Sequence, residues 1–109
     1  MGKPFNGMSN AQIERLYLLA EECAELSHAI IKALRHGMDS YNPLIEGEAP
    51  SNQEEIEFEV GDLMFAMELC ARNGDFNQAR AFAAKQLKGR KVWQYLHHNT
   101  RERNWDGVE

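Results

Sequence analysis

Two short acidic segments of the sequence place paired carboxylates on helices. Glu22 and Glu25 stand three residues apart, as do Glu59 and Asp62. Because residues three apart are separated by about 60° around an α-helix, each pair shares one helix face. If the two pairs meet, four carboxylates surround one point, and their mutual repulsion requires a bound cation or raised pKa values. Oxygen-only ligand sets suit hard divalent cations, so the pattern predicts a magnesium site.

Other metals fit the sequence less well. Cys23 and Cys70 do not belong to a Cys/His set with the spacing of a zinc site. Glu25 and His28 form one Glu-x-x-His element of the kind that di-iron carboxylate proteins use twice, but the second acidic segment offers no histidine. The remaining ligands are carboxylates, which suit Mg²⁺ or Mn²⁺, ions that commonly hold a substrate through its phosphates.

A long amphipathic helix is predicted to carry the first acidic pair. Ser9 and Gln12 have capping-box spacing, so the helix should begin near Asn10, and Gly37 should end it. Its apolar stripe runs through Ile13, Leu16, Tyr17, Ala20, Ala24, Ser27, Ile31 and Leu34. We expect this stripe to be the main packing face, which would leave the acidic pair far from it.

A second helix is predicted to carry the other acidic pair. Ser51 and Glu54 repeat the capping-box spacing, and Asn73 with Gly74 marks the helix end. Its apolar residues are Ile56, Val60, Leu63, Met67 and Cys70. Because Glu59 and Asp62 project between apolar side chains, we expect both to be buried and therefore compensated by a positive charge.

Shorter helices are predicted downstream. Asp75 with Gln78 has the spacing to cap a third helix, and Gly89 marks a break, after which residues 92–96 either resume that helix or form a fourth. The chain is thus predicted to be one all-α domain over residues 1–109, with a flexible arm at 1–9, a loop at 37–51 and a frayed tail at 99–109.

The predicted architecture is a bundle of four to five helices built on the long antiparallel pair. Apolar residues occur on several faces of the first two helices, more than one helix pair can bury. We therefore expect an oligomer, either a homodimer or a homotetramer, with sites near the subunit interface.

Composition and charge limit the class of protein. The chain of 109 residues has 12 basic and 17 acidic residues, and the net charge of −5 argues against a general nucleic-acid surface. No apolar run suits a signal peptide or a bilayer span, so no membrane partner is expected. Cys23 and Cys70 are expected to be small buried hydrophobic residues in a reducing compartment, and the predicted location is the cytoplasm.

Two parts of the sequence together resemble a known enzyme family. Residues 18–26 contain Glu-Glu-x-x-Glu, and residues 57–63 contain Glu-x-x-Asp on the next helix. The pair resembles the signature of the MazG-like all-α nucleoside triphosphate pyrophosphohydrolases, a group that includes dimeric dUTPases and phosphoribosyl-ATP pyrophosphohydrolases. The resemblance covers residues 13–91. It implies hydrolysis of a ribo- or deoxyribonucleoside triphosphate between its α- and β-phosphates, which gives a nucleoside monophosphate and pyrophosphate.

By position, the resemblance implies four metal ligands, which are Glu22, Glu25, Glu59 and Asp62, with Mg²⁺ or Mn²⁺ as the cofactor. The two halves of the motif are separated by 33 residues, a longer separation than is usual in this family. An enlarged loop at residues 39–52 would account for the difference.

The chemistry also requires residues outside the metal ligands. Attack by water on an α-phosphoryl group needs neutralised phosphate charge, a water molecule in line and a group to take its proton. Glu21 lies about 40° from Glu25 around the helix, so it is a candidate to orient or deprotonate that water. The alternative is a glutamate on the helix surface.

Basic residues are candidates for binding the phosphates. In steps of three and four residues, the stripe of Glu21 and Glu25 continues through His28, Lys32 and Arg35. These residues either bind phosphates or only complement the dipole at the helix C-terminus. A second basic group comprises Lys85, Lys88, Arg90 and Lys91, which either reaches the triphosphate or forms a solvated face.

Recognition of the base calls for an aromatic platform and amide groups. Asn42, together with Tyr41 and Asn52, lies near the predicted loop and is a candidate for this role. The other aromatic residues with helical spacing, expected in a core or an interface, are Phe76, Phe82, Trp93 and Tyr95.

Two alternative functions remain compatible with the sequence. One is a non-catalytic helical interaction module, in which the acids form salt bridges between subunits to Lys32, Arg35 or Lys85. The other is an enzyme like the phosphoribosyl-ATP pyrophosphohydrolases of histidine synthesis. Added magnesium distinguishes the first, because a four-carboxylate cage is stabilised by the ion and a salt-bridged cluster is not.

Overall fold

The computed structural model describes residues 5–44 and 47–106 and confirms the all-α fold. The elements are α1 (Asn10–His36), α2 (Asn52–Arg72), α3 (Gln78–Lys91), a short 3₁₀ helix (Val92–Tyr95) and α4 (Arg101–Asn104). Within the described ranges there is no strand, only an isolated antiparallel bridge between Tyr41 and Ser51. The chain divides into two compact units, the first ending at Asp75 and the second beginning at Phe76.

The ends of α1 and α2 follow the sequence signals. The Ser9 hydroxyl accepts a hydrogen bond from the Gln12 amide at 3.1 Å, and Gly37 ends α1 with a φ of 95° that favours glycine. At the start of α2, the Glu54 amide donates to Ser51 Oγ at 3.1 Å while the Ser51 amide donates to Glu54 Oε1 at 2.9 Å. This complete capping box fixes the first residue of α2.

The helices α1 and α2 form an antiparallel hairpin. The residues along the contact face of each helix, which we call the seam, are spaced alternately by four and three. On α1 the seam consists of Arg15, Leu19, Glu22, Leu26, Ala29 and Ala33, and on α2 of Asn52, Ile56, Glu59, Leu63, Ala66 and Cys70. Every one of these residues is buried or half-buried. The seam therefore places one glutamate from each helix between the helices.

The predicted apolar stripe of α1 is not its main packing face. Tyr17 is 67% exposed, Leu34 is 80% exposed and Ile31 is also exposed, although Ile13 and Leu16 are half-buried. The small seam residues Ala29, Ala33 and Ala66 are buried and let the helix backbones approach closely, so the hairpin packs on the side of α1 opposite Tyr17 and Ile31. On α2, Val60 and Met67 are likewise exposed rather than buried.

A buried ion pair joins the two ends of the hairpin. Arg15 Nε lies 2.7 Å from Asp75 Oδ2, and Arg15 Nη2 lies 2.8 Å from Asp75 Oδ1. Only 1% of the Asp75 side chain is exposed. The prediction that Asp75 caps the third helix is therefore wrong, because its carboxylate is engaged with Arg15, and Asn77 caps α3 instead by accepting from the Arg80 amide.

The two cysteines differ in environment. Cys70 is fully buried, donates to the Arg15 carbonyl at 3.5 Å, and has a thiol whose pKa is raised by burial. Cys23 is exposed, so the expectation that both are buried is wrong for Cys23. The reason is that Cys23 follows seam residue Glu22 and points away from α2.

The second unit continues through Gly89 without a break. Helix α3 includes Gly89 and passes directly into the 3₁₀ helix, where Trp93 Nε1 donates to the Gly89 carbonyl at 2.6 Å. A Cβ at position 89 would lie 3.6 Å from Trp105 Nε1, so the two residues are close neighbours. Residues 101–104 of the predicted tail form α4, capped by Thr100. Among the described residues, no helix is long and apolar enough to span a bilayer.

Candidate metal centre

The hairpin brings three of the four predicted ligands to one point. A carboxylate oxygen from each of Glu22, Glu25 and Glu59 lies within 4.8 Å of the corresponding oxygens of the other two. Opposite ligands of a single Mg²⁺ are separated by about 4.2 Å, twice the usual bond length. The separation of these oxygens is therefore close to the one that a single Mg²⁺ requires.

Glu22 and Glu59 each have a carboxylate oxygen without a partner. Glu22 Oε2 and Glu59 Oε2 are both shielded from solvent, and neither accepts a hydrogen bond within the described part of the chain. A buried carboxylate oxygen without a hydrogen-bond partner destabilises the folded state. Two such oxygens close to other negative charges destabilise it further. Divalent cations with oxygen ligands satisfy such atoms, so the donor set fits a Mg²⁺ or Mn²⁺ ion.

Burial and crowding raise the pKa values of the two seam glutamates. The pKa of Glu22 is raised first by burial and then by the charges of Glu25, Asp62 and Glu21. The pKa of Glu59 is raised first by burial, then by a hydrogen bond shared with Glu25 and by the charges of Glu25, Asp62 and Glu22. Both shifts oppose ionisation, and a bound cation would reverse them.

Asp62 lies at the edge of this cluster. It is exposed, so the expectation that it is buried is wrong, although its charge raises the pKa values of both Glu22 and Glu59. The two seam residues nearest to Asp62 are Glu59 and Leu63, so Asp62 itself lies on the flank of α2 beside the cluster. Its role as the fourth ligand stays a prediction. Glu21 is also exposed, and its charge raises the pKa of Glu22.

A cavity of about 370 Å³ opens beside the cluster. Glu25 and Glu59 line it together with the predicted substrate-binding residues His28 and Lys32. Lys32 Nζ lies 2.6 Å from Glu55 Oε2, an ion pair that holds the ammonium group at the cavity wall. Glu55 was not predicted as a site residue from the sequence, although it lies four residues before Glu59 on the same face of α2.

The remaining predicted substrate-binding residues fall into separate places. Arg35 lines a smaller cavity of about 200 Å³ together with His28 and Lys32, so the basic stripe of α1 is continuous. Asn42 lines a further cavity formed by the linker between α1 and α2. Lys85 and Lys88 belong to α3 in the second unit, where Lys85 Nζ lies 5.8 Å from the centre of the Phe82 ring. Their assignment to phosphate binding stays a prediction.

Paired carboxylates on two packed helices, beside a cavity lined with basic residues, form a site suited to a divalent cation and a ligand that carries phosphates. The family model of the MazG nucleotide pyrophosphohydrolase domain matches residues 12–93, and the chain belongs to this family of hydrolases. The match includes both acidic pairs. A search of curated proteins and a search of solved structures each found no significant match.

The raised pKa values predict an unusual pH dependence of stability. A group whose pKa is higher in the folded state binds more protons when folded, so metal-free stability should increase as the pH falls from neutral toward the ordinary glutamate value of 4.5. We expect the melting temperature Tm without metal to rise over this range. Differential scanning fluorimetry in chelator should show a smaller rise for the Glu22→Gln/Glu59→Gln variant. Equal pH profiles for the two proteins would contradict the raised values.

Proposed function

We propose that this protein is a Mg²⁺-dependent pyrophosphohydrolase that cleaves a nucleoside or deoxynucleoside triphosphate between its α- and β-phosphates, releasing a monophosphate and pyrophosphate. The observation that carries the proposal is the pair of shielded, unpartnered oxygens of Glu22 and Glu59 between the helices. The family of the chain supports the same reaction class.

We assign the metal-binding role to Glu22, Glu25, Glu59 and Asp62. A divalent cation bound there would neutralise the charge on phosphate oxygens and favour attack at phosphorus. We assign to Glu21 the role of orienting the attacking water or accepting its proton, since it neighbours Glu22 and is exposed to solvent. Lys32 supplies positive charge to the phosphates, and Glu55 fixes its position at the wall of the cavity.

The interaction-module alternative receives less support. That alternative requires the acids to pair with cations of a neighbouring subunit. Lys32, one of the cations proposed for that role, pairs with Glu55. The di-iron alternative is also weaker, because the close group of ligand atoms contains three glutamates and no histidine.

Product analysis tests the reaction. Purified protein is incubated with ribo- and deoxyribonucleoside triphosphates and with phosphoribosyl-ATP, with Mg²⁺ or with chelator, and the products are identified by ³¹P NMR. We expect a nucleoside monophosphate and pyrophosphate from at least one triphosphate, with Mg²⁺ only. Release of a diphosphate and orthophosphate, or turnover that persists in chelator, would contradict the proposal. If phosphoribosyl-ATP is the only compound hydrolysed, the protein is instead an enzyme like the phosphoribosyl-ATP pyrophosphohydrolases.

We also propose that the chain assembles with copies of itself through the outer face of α1. Tyr17, Ile31 and Leu34 form an exposed apolar stripe on the side of α1 opposite the seam. Several exposed apolar side chains on one helix face favour a protein interface, and identical chains most often pair with two-fold symmetry. A homodimer or a homotetramer is therefore expected.

Leu34→Asp tests this assembly, because it places a charge in the apolar stripe at a side chain that is 80% exposed. We expect the mass from light scattering to fall to that of the single chain while the helical circular dichroism is retained. Asn99→Asp adds the same charge at an exposed position outside the helices and should leave the mass unchanged. A wild-type mass of 12.5 kDa would contradict the assembly outright.

A further inference from the structure

The first half of the linker between α1 and α2 is fastened to the start of α2. The Asn52 amide nitrogen donates to the Ser40 carbonyl at 2.7 Å, and that of Gln53 donates to the Met38 carbonyl at 2.9 Å. The side chain of Asn52, only 3% exposed, donates from Nδ2 to the Gly37 carbonyl at 2.9 Å. These bonds give this part of the linker a fixed position, so it can form a stable wall of a binding site.

A cavity of about 440 Å³ lies between this linker and the end of α1. It is lined by an aromatic ring, two amides and two basic side chains, which are Tyr41, Asn42, Asn52, Lys32 and His36. The volume is within the range of small-molecule sites. A flat ring on which a base can stack, beside amide groups that can read its edge, suits a nucleobase, and the basic residues suit an attached phosphate.

Lys32 connects this linker cavity to the metal centre. It lines both the linker cavity and the cavity that contains Glu25 and Glu59. The ion pair with Glu55 holds Lys32 between the two. A ligand with phosphates at one end and an aromatic heterocycle at the other can therefore follow one surface from the carboxylates, past Lys32, to Tyr41.

A neighbouring cavity of about 610 Å³ offers a second route but a less suitable charge. It contains Tyr41, Pro50 and Phe58, and it is also lined by Glu48 and Glu54, with no basic side chain among its lining residues in the described part of the chain. Two carboxylates would repel a polyphosphate ligand. The linker cavity is therefore favoured over it as the place for the nucleoside.

We propose that the linker cavity is the nucleoside subsite of this enzyme, with the base stacked on Tyr41 and its edge read by Nδ2 of Asn42, while the buried Asn52 holds the cavity wall through its hydrogen bond to Gly37. The inference rests on the proposed function, because the phosphates must lie on the acidic cluster. Tyr41 is 61% exposed, so its ring is accessible to a ligand. The linker thus sets which base is preferred, and the carboxylates set which bond is broken.

Binding measurements with and without a nucleoside on the polyphosphate test the subsite. Calorimetry with Mg²⁺ gives the Kd of the α,β-imido triphosphates of adenosine, guanosine, cytidine and uridine, and the Kd of inorganic tripolyphosphate. For the analogue that binds best, Tyr41→Ala should weaken affinity by at least about fivefold, the lower range for loss of one base stack. Tyr41→Phe should retain affinity, and tripolyphosphate should bind both variants as it binds the wild type.

The control is Leu44→Ala, a linker residue that is exposed and does not line the cavity. It should leave every Kd unchanged. If Tyr41→Ala binds the nucleotide analogues as tightly as the wild type, the subsite is overturned while the proposed hydrolysis stands. If the wild type binds the analogues with a Tyr41-dependent Kd but releases no pyrophosphate, the subsite stands and the proposed reaction fails. Absence of any analogue binding overturns both.

Discussion

Replacing Glu59 with glutamine is expected to lower kcat/KM for pyrophosphate release by at least about 100-fold, since loss of a direct metal ligand should exceed the loss seen for residues that only orient ligands. The same variant should melt at a higher temperature than the wild type in chelator. Glu59 loses a charge from a cluster in which its own pKa is already raised by burial and by neighbouring carboxylates. Steady-state kinetics and scanning fluorimetry measure the two effects.

Glu57→Gln is the matched control for this variant. Glu57 is exposed on the same helix, two residues away, and is not in the group of close carboxylates. It should change neither the activity nor the Tm in chelator appreciably. Full activity of the Glu59→Gln variant would show that Glu59 is not a metal ligand. A variant that is inactive because it is unfolded would be identified by its lower Tm.

Asp75→Ala is expected to lower Tm by on the order of 10 °C, because it leaves the half-buried Arg15 without its partner at the open end of the hairpin. The two Arg15 nitrogens that donate to Asp75 lie 2.7 and 2.8 Å from the carboxylate oxygens of Asp75. These hydrogen bonds hold the pKa of Asp75 below its ordinary value of 3.8. Its stabilising contribution is therefore present above that value and is lost as the pH falls through the lowered pKa.

The exposed pair of Glu68 and Arg72 on α2 provides the comparison. It is an i,i+4 ion pair whose side chains are largely exposed, so Glu68→Ala should lower Tm far less than Asp75→Ala does. Thermal melts at neutral pH measure both. Equal losses for the two variants would show that burial of the Arg15 pair adds no stability.

The sequence predicted the helix ends accurately because local chemistry determines them. Ser9 and Ser51 cap the first two helices, and Gly37 ends the first, as their spacing indicated. Asp75 was misassigned as a cap because its partner, Arg15, is 60 residues away along the chain. A local rule cannot detect a partner at that separation.

The packing face of α1 was predicted wrongly for a physical reason. The stripe of Tyr17, Ile31 and Leu34 is exposed, and the hairpin instead packs through the face with Ala29 and Ala33, where small side chains let the backbones approach closely. Because Glu22 belongs to that second face, the sequence reading placed the acidic pair far from the packed side. The structure instead places Glu22 between the helices, where its shielding from solvent becomes chemically informative.

The acidic spacing identified the three clustered glutamates, because helical periodicity alone determines which carboxylates share a face. The cavities could not be predicted in the same way. The spacing of Glu55 and Glu59 places both on one face of α2, but the ion pair of Glu55 with Lys32 joins two different helices. The position of Tyr41 depends on the hydrogen bonds that the linker makes with the start of α2. Such contacts between distant segments have no local sequence signal.

The most direct test of the acidic cluster as a metal site is the Tm of the nucleotide-free protein as MgCl₂ is added, with NaCl at equal ionic strength as the control. Selective binding to the folded state raises Tm, whereas screening of surface ion pairs does not. We expect a saturable rise in Tm for the wild type with MgCl₂ only, and no rise for Glu22→Gln/Glu59→Gln. A wild-type Tm that is unchanged by Mg²⁺, or that changes equally with NaCl, would contradict a metal centre.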